Sequence, residues 1–408
     1  MAAIFCLGNP ISSMAYSVLT HEAIIDANWE KFIQPLLKAK YPGSTDDQLK
    51  QARAYAYGGA VAPDMGYFPF GSLFFTNLVH YVRSGDFVNA LLSEATDLNE
   101  YAFALGALCH YYADNYGHPL GTNRCVPLVY PKMKEKYGNT VTYGQDHISH
   151  IRMEFGFDVL QTARGTYVSQ AYHDFIGFQV ARPVLERAFL KTYGLDINDV
   201  FGNLSLAINT FRWSVKNLFP VLTRAAWKTR RDEIAKTKPG ITSRNFIYRM
   251  HRKSYYKEFG KEHLKPRFFA SFLSLLIRIS PKIGPLKVLK FQVPGPAVEK
   301  LFIQSFDSVS VHYAGSLINL DPENIHLANI DFDTGNKTSP GEYELADDNY
   351  GELLLKLKDK NFDHLNPPLK KNILAFYSNP ESVHVKKDED WQKIKAAFEV
   401  LKVTEPGN

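Results

Sequence analysis

Apolar residues recur at helical intervals over residues 17–40, where Val18, Ile24, Ile25, Trp29, Phe32, Ile33, Leu36 and Leu37 line one side and Pro42-Gly43 supplies the stop. Thr20, just before His21, stands where a helix cap could lie. A second helix fits 45–57, opened by Ser44 or Thr45 with acidic Asp46 and Asp47 in its first turn. Gly58-Gly59, Pro63-Asp64-Met65-Gly66, Pro69 and Gly71 then predict a loop. Helical spacing resumes over 72–95, 96–117, 143–162, 168–192 and 196–234, while strand-like alternation is nearly absent. The pattern predicts an all-α helical bundle.

The texture changes after Lys238-Pro239-Gly240. Residues 239–296 are basic and aromatic around an apolar run at 268–277, helical spacing returns at 298–316, 347–375 and 386–402, and 331–345 forms an acidic loop bearing Gly and Pro. The chain is therefore divided into a bundle at 16–238 and a C-terminal helical extension at 239–408, with 1–15 set apart. Those first fifteen residues resemble the tail of a secretory signal peptide: an apolar stretch, Asn9-Pro10, then Ser13-Met14-Ala15 in the small-x-small form of a cleavage site. Export, with a mature chain that begins at Tyr16, is the expectation.

A hydrophobic content of 45% over 408 residues excludes a disordered or fibrous chain and allows a large core. The run at 268–277, closed by Arg267 and Arg278, falls short of the ~20 residues of a membrane-spanning helix. The net charge of +5 conceals a concentration: residues 224–290 carry 18 Lys and Arg against 4 Asp and Glu. Such a segment suits an interfacial helix on anionic lipid, and equally a buried helix with solvated charged flanks; phosphate tracking along nucleic acid is the weaker reading. Outside residues 1–15 only Cys109 and Cys125 remain, which implies no disulfide framework and leaves one bridge or none.

The chemistry concentrates in His110-x3-Asp114-x3-His118. Side chains four apart share a helix face, so His110 and Asp114 can ligate one ion. His118 lies about 12 Å further along the axis at ~1.5 Å per residue, too far to share that ion, and the run asks for a second metal or leaves an unrelated histidine. His150-x3-Glu154 repeats the spacing in a segment of helical periodicity. A single pair of this kind is an ordinary surface contact, but two pairs and His118 in apolar segments need partners. His21, Asp64 in the Pro-Gly loop and His80 join by context, and His147 is a candidate supporting group for His150.

In this order, His21, Asp64, His80, His110, Asp114, His118, His150 and Glu154 resemble the zinc-dependent phospholipase C family, over roughly residues 16–220. That family shares its helical fold with the single-strand-specific zinc nucleases and the catalytic domain of glycosylphosphatidylinositol-specific phospholipase D. The resemblance implies three zinc ions: one on His80, His110 and Asp114; a second bridged by Asp114 and held by His21 and the α-amino nitrogen and carbonyl oxygen of Tyr16; a third on His118, His150 and Glu154. Asp64 matches the carboxylate that orients or deprotonates the attacking water. Tyr16 stands where family members commonly place Trp. The implied activity is hydrolysis of a phospholipid phosphodiester, with two alternatives: a zinc nuclease, or a non-catalytic membrane-binding protein that keeps the fold and the metal. The nucleases typically end their ligand set with His-x3-Asp, whereas Glu154 stands here.

Overall fold

The computed structural model describes residues 18–164, 178–215, 219–237, 290–321, 325–384 and 388–407. Residues 1–15, Tyr16 and all but the last residues of the basic stretch 239–296 lie outside them, so the expectations placed there carry no structural statement.

Among the described residues the protein is helical, and a lone antiparallel bridge between Ile330 and Lys337 is the sole strand-like pairing. Helix α1 (Val18–Asn28) passes through a π-helical turn, Trp29–Ile33, into α2 (Gln34–Lys40). There follow α3 (Asp46–Val61), a 3-10 turn at Ala62–Tyr67, α4 (Leu73–Tyr81), α5 (Ser84–Glu94), α6 (Leu98–Gly117), a π-helical turn at His118–Thr122, α7 (Asn123–Val129), α8 (Pro131–Tyr137) and α9 (His147–Arg164). Then come α10 (Arg182–Tyr193), α11 (Ile197–Val200), α12 (Leu204–Trp213), α13 (Phe219–Thr237), α14 (Pro296–Ile318), α15 (Glu344–Asp359), α16 (Pro367–Phe376) and α17 (Asp388–Val403).

Local chemistry sets most starts. Thr45 and Gln48 form a reciprocal capping box on α3, and Asp97 accepts from the amides of Asn99 and Glu100 at the head of α6. The expected loop at 58–71 is shorter than the breakers suggested, because Gly58-Gly59 lie inside α3. A Cβ on Gly59 would stand 1.9 Å from the Phe103 carbonyl, and one on Gly106 2.0 Å from that of Ala56. These glycines let α3 and α6 pack backbone against backbone, and packing outweighs the cost of ~1 kcal/mol that glycine imposes in a helix. The single helix expected over 72–95 is two, turned at Arg83 in the left-handed region (φ 54°). The segments 196–234 and 347–375 likewise divide, and α7 and α8 occupy a stretch for which no helix was predicted.

Helix α6 is the axis of the molecule: sixteen of its twenty residues are buried. The extension joins the same core. The Tyr313 hydroxyl of α14 donates to the Leu105 carbonyl of α6 (2.9 Å), and Phe302 stacks on Phe157 of α9 with centroids 4.3 Å apart. Beyond α14, residues 330–337 fold back over α4, where the Phe332 amide donates to the His80 carbonyl (3.2 Å).

Candidate metal centre

Each helix delivers its site residue through a specific restraint. The crossing of α3 and α6 brings the Ala60 carbonyl within 2.9 Å of His110 Nδ1. On α4, His80 Nδ1 donates to the Thr76 carbonyl (2.7 Å). The Thr76 hydroxyl donates to the Pro63 carbonyl (2.7 Å) and accepts from the Gly66 amide (2.9 Å), which ties the 3-10 turn carrying Asp64 to the helix carrying His80. The head of α1 is held by buried Asp158 of α9, which accepts from the Leu19 amide (3.2 Å) and the Thr20 hydroxyl (2.8 Å). Thr20 lies inside α1, and its hydroxyl binds a distant carboxylate, a restraint that sets His21 one residue on.

Asp114 is the hub. Its Oδ1 lies 3.1 Å from His21 Nε2, and its Oδ2 lies 3.1 Å from His110 Nε2, 3.4 Å from His80 Nε2 and 3.9 Å from His118 Nε2. Asp64 Oδ1 is 3.4 Å from His80 Nε2, and the Nε2 atoms of His80 and His110 face each other at 3.2 Å. A carbonyl only accepts, so Nδ1 of His80 and of His110 carries the proton that it donates. In the neutral rings both Nε2 atoms then present lone pairs to one another and to carboxylates. That arrangement repels unless a proton or a metal ion sits among them. Two candidate donor groups follow, His21–His110–Asp114 and Asp64–His80–His110, all buried.

The third group lies one turn beyond. His118 Nδ1 is 3.1 Å from Asp333 Oδ1, and His150 Nε2 is 3.7 Å from the same oxygen, so His118, His150 and Asp333 converge. His150 Nδ1 lies 2.7 Å from Glu154 Oε1, and its Nε2 meets Asn123 Oδ1 at 2.7 Å. Asp333 arrives from the acidic loop of the extension, and its Oδ2 accepts from the Tyr143 amide (2.7 Å) and the Tyr343 hydroxyl.

Burial of so many ionisable groups pulls their pKa values far apart. Burial lowers His80, but the carboxylates of Asp114 and Asp64, each 3.4 Å from its Nε2, overcome it and push it up to about 10. Burial would raise Asp114, yet His110, His21 and His80 hold it well below the usual carboxylate range. His150, desolvated and beside His118, falls to about 3. Glu154 rises well above its ordinary value through burial and the charges of Asp114, Asp64 and Asp333.

All eight candidate residues from His21 to Glu154 thus surround one buried region, although the turn at His118 continues as a π-helix rather than ending the chain's helical course. His147 is the exception among the expected helpers: it is exposed against the Tyr143 ring (6.1 Å). The supporting groups are Asn123 and Asp333, which the sequence reading missed; the Asp331-x-Asp333 pair in a glycine-bearing loop was the available clue. Cys109 and Cys125 are buried free thiols, which answers the question of a bridge.

The donor set suits zinc, which takes imidazole nitrogen and carboxylate oxygen in small closed clusters. The buried atoms His118 Nε2, His150 Nδ1, Asp114 Oδ2 and the carboxylate oxygens of Asp64 and Glu154 lack a hydrogen-bond partner, an expensive arrangement for a protein interior unless a cation is to be held. No curated protein and no solved structure matches the chain. The family model of zinc dependent phospholipase C matches residues 20–203, a stretch holding every histidine and carboxylate of this centre except Asp333, and over that stretch the chain is similar to that zinc-dependent family.

Proposed function

We propose that the protein hydrolyses a phosphodiester bond in a phospholipid, releasing diacylglycerol or a related alcohol and a phosphorylated head group. The observation that carries this reading is the convergence of buried histidines and carboxylates from the matched segment, with the Nε2 atoms of His80 and His110 facing each other and Asp114. In this reading His80, His110 and Asp114 hold one zinc, Asp114 and His21 share a second with the backbone of Tyr16, and His118, His150 and Glu154 hold a third. Zinc, when bound, supplies an acidic water near neutral pH and positive charge for the phosphoryl oxygens. In this reading Asp64 takes or orients the proton of the attacking water, which its burial (1% exposed), its position beside His80 and the lack of another partner for its carboxylate support. Asp114 fixes the spacing of the centre by using both oxygens.

The test compares release from phosphatidylcholine and from single-stranded DNA, with and without chelator. Chelator-sensitive cleavage of the lipid alone supports the proposal; cleavage of the DNA alone replaces it with a nuclease, and inactivity on both with zinc fully loaded replaces it with a binding protein. Export with cleavage before Tyr16 belongs to the same proposal, because the second ion then gains the new α-amino group. A chain that keeps extra residues before Tyr16 is expected to be metal-poor and slow, and full activity in it would remove Tyr16 from the ligand set. Contact with a lipid surface through 239–296 is also proposed on its charge; sedimentation with anionic but not neutral vesicles checks it.

A further inference from the structure

We infer that Asp333, in the C-terminal extension and outside the family match, is the positioning residue for the third donor set, fixing which ring nitrogen of His118 and of His150 is left open for an ion. The inference rests on the reading of His118, His150 and Glu154 as ligands and assigns what holds them.

The hydrogen-bond directions carry it. Asp333 Oδ1 faces His118 Nδ1 at 3.1 Å, so that nitrogen donates and Nε2 is left with its lone pair. The second histidine is reached by relay. Asn123 Nδ2 donates to the Asp333 carbonyl (2.7 Å), which fixes the amide with its oxygen toward His150 Nε2 (2.7 Å). His150 therefore carries its proton on Nε2 and presents Nδ1 to Glu154 Oε1 at 2.7 Å. The buried atoms left without hydrogen-bond partners are then His118 Nε2, His150 Nδ1 and both oxygens of Glu154, the atoms a third ion would take. Asp333 approaches the other nitrogen of each ring, His118 Nδ1 at 3.1 Å and His150 Nε2 at 3.7 Å.

Asp333 is also close enough to be read as a ligand itself, and its own bonds decide against that. Oδ1 is committed to His118, and Oδ2 accepts both the Tyr143 amide and the Tyr343 hydroxyl. Its loop is built to hold it there: the backbone amides of Asp333 and Thr334 donate to Asp331 Oδ1 (2.7 and 3.3 Å), and the Gly335 amide donates to the Asp331 carbonyl (2.8 Å). Removing such outer groups from metal-binding histidines weakens affinity by about 10–100-fold without removing a ligand.

The experiment is a chelator competition on the full chain, reading zinc per chain and the dissociation constant of each ion, with circular dichroism to confirm helical content. Asp333→Ala is expected to keep the wild-type zinc count at saturation but to weaken one ion about 10–100-fold, with Asp333→Asn, which keeps an acceptor oxygen, lying between it and wild type. Glu154→Gln is expected to lose that ion outright. Tyr343→Phe, which leaves the carboxylate in place, is expected to weaken the same ion by a smaller factor and carries the test if Asp333→Ala does not fold. An unchanged competition curve for Asp333→Ala overturns the inference, as does loss of an ion in Asp333→Ala with full retention in Glu154→Gln, which would make Asp333 the ligand. A wild-type chain that takes up no zinc would sink the reading of the centre itself.

Discussion

At the scale of single residues, two buried imidazoles are pushed in opposite directions, and both shifts have measurable consequences. His80, at about 10, keeps an extra proton at pH 7 in the zinc-free chain and must give it up to ligate. Zinc uptake at pH 7 is therefore expected to release about one proton at this residue, and affinity to rise as pH climbs from 7 toward 10. Calorimetry in buffers of different ionisation heat checks this, and an undiminished release in His80→Gln would contradict it. For stability, a raised value adds stability that is complete below the unfolded value of 6.5 and is lost as pH rises through about 10. His150 works the other way: its value of about 3 lies below 6.5, so the unfolded chain binds more protons between them and stability falls as pH drops through that window. The contributions of these two residues together are therefore largest near pH 6.5. Between pH 6.5 and pH 5 the His150 contribution amounts to about 2 kcal/mol, at ~1.4 kcal/mol per unit. Urea unfolding of chelated wild type and His150→Gln at the two values measures it, and equal acid losses would rule it out.

Elements hold these residues at their distances, and glycine is where the sequence misled. Gly58-Gly59 read as a break because glycine is a poor helix former in isolation. In the folded protein Gly59 and Gly106 are contact points of α3 and α6, and the crossing is what brings Ala60 to His110. Gly106→Ala would press a methyl against the Ala56 carbonyl, and the helices must separate. The expected cost is about 1–3 kcal/mol in urea unfolding, with weaker zinc retention as His110 loses its carbonyl partner. Wild-type values for both would show that the crossing has slack. A similar argument applies to Asp158, which caps α1 from another helix. Asp158→Ala is expected to loosen α1 and lower zinc content through His21, with less effect on the group at His118. The i,i+4 pairs His110–Asp114 and His150–Glu154 were legible because helical periodicity is local. Which helix faces which is not local, and neither is the Thr76 bridge that carries Asp64 to His80.

For the whole molecule, the question is what the extension contributes to a centre whose matched stretch ends at residue 203. The amphipathic pattern of 298–316 announced a helix with one buried face, and that face is Val298, Phe302, Ser305, Val309, Tyr313 and Leu317. Nothing in the pattern named its partner. Asp333 was harder still, because it meets His118 across 215 residues of chain and no periodicity links such positions. A chain ending at residue 237 would lose α14 and expose Phe157 and the side of α6 that receives Tyr313. It would also leave His118 Nδ1 and Asn123 without their acceptors. Such a chain is expected to aggregate or bind a hydrophobic dye, and to retain less than the full complement of zinc even when kept soluble. A chain ending at residue 384 removes α17 and the residues flanking it; Ile394, Ala397 and Leu401 of α17 are buried, and the helix packs on α15 and α16. It is expected to keep its zinc while unfolding at lower urea. Zinc content and dye binding of the two truncated chains decide the matter. Full zinc loading in the shorter one would show that residues 18–237 complete the centre alone, and loss in the longer one would place the dependence in general stability rather than in α14 and the Asp333 loop.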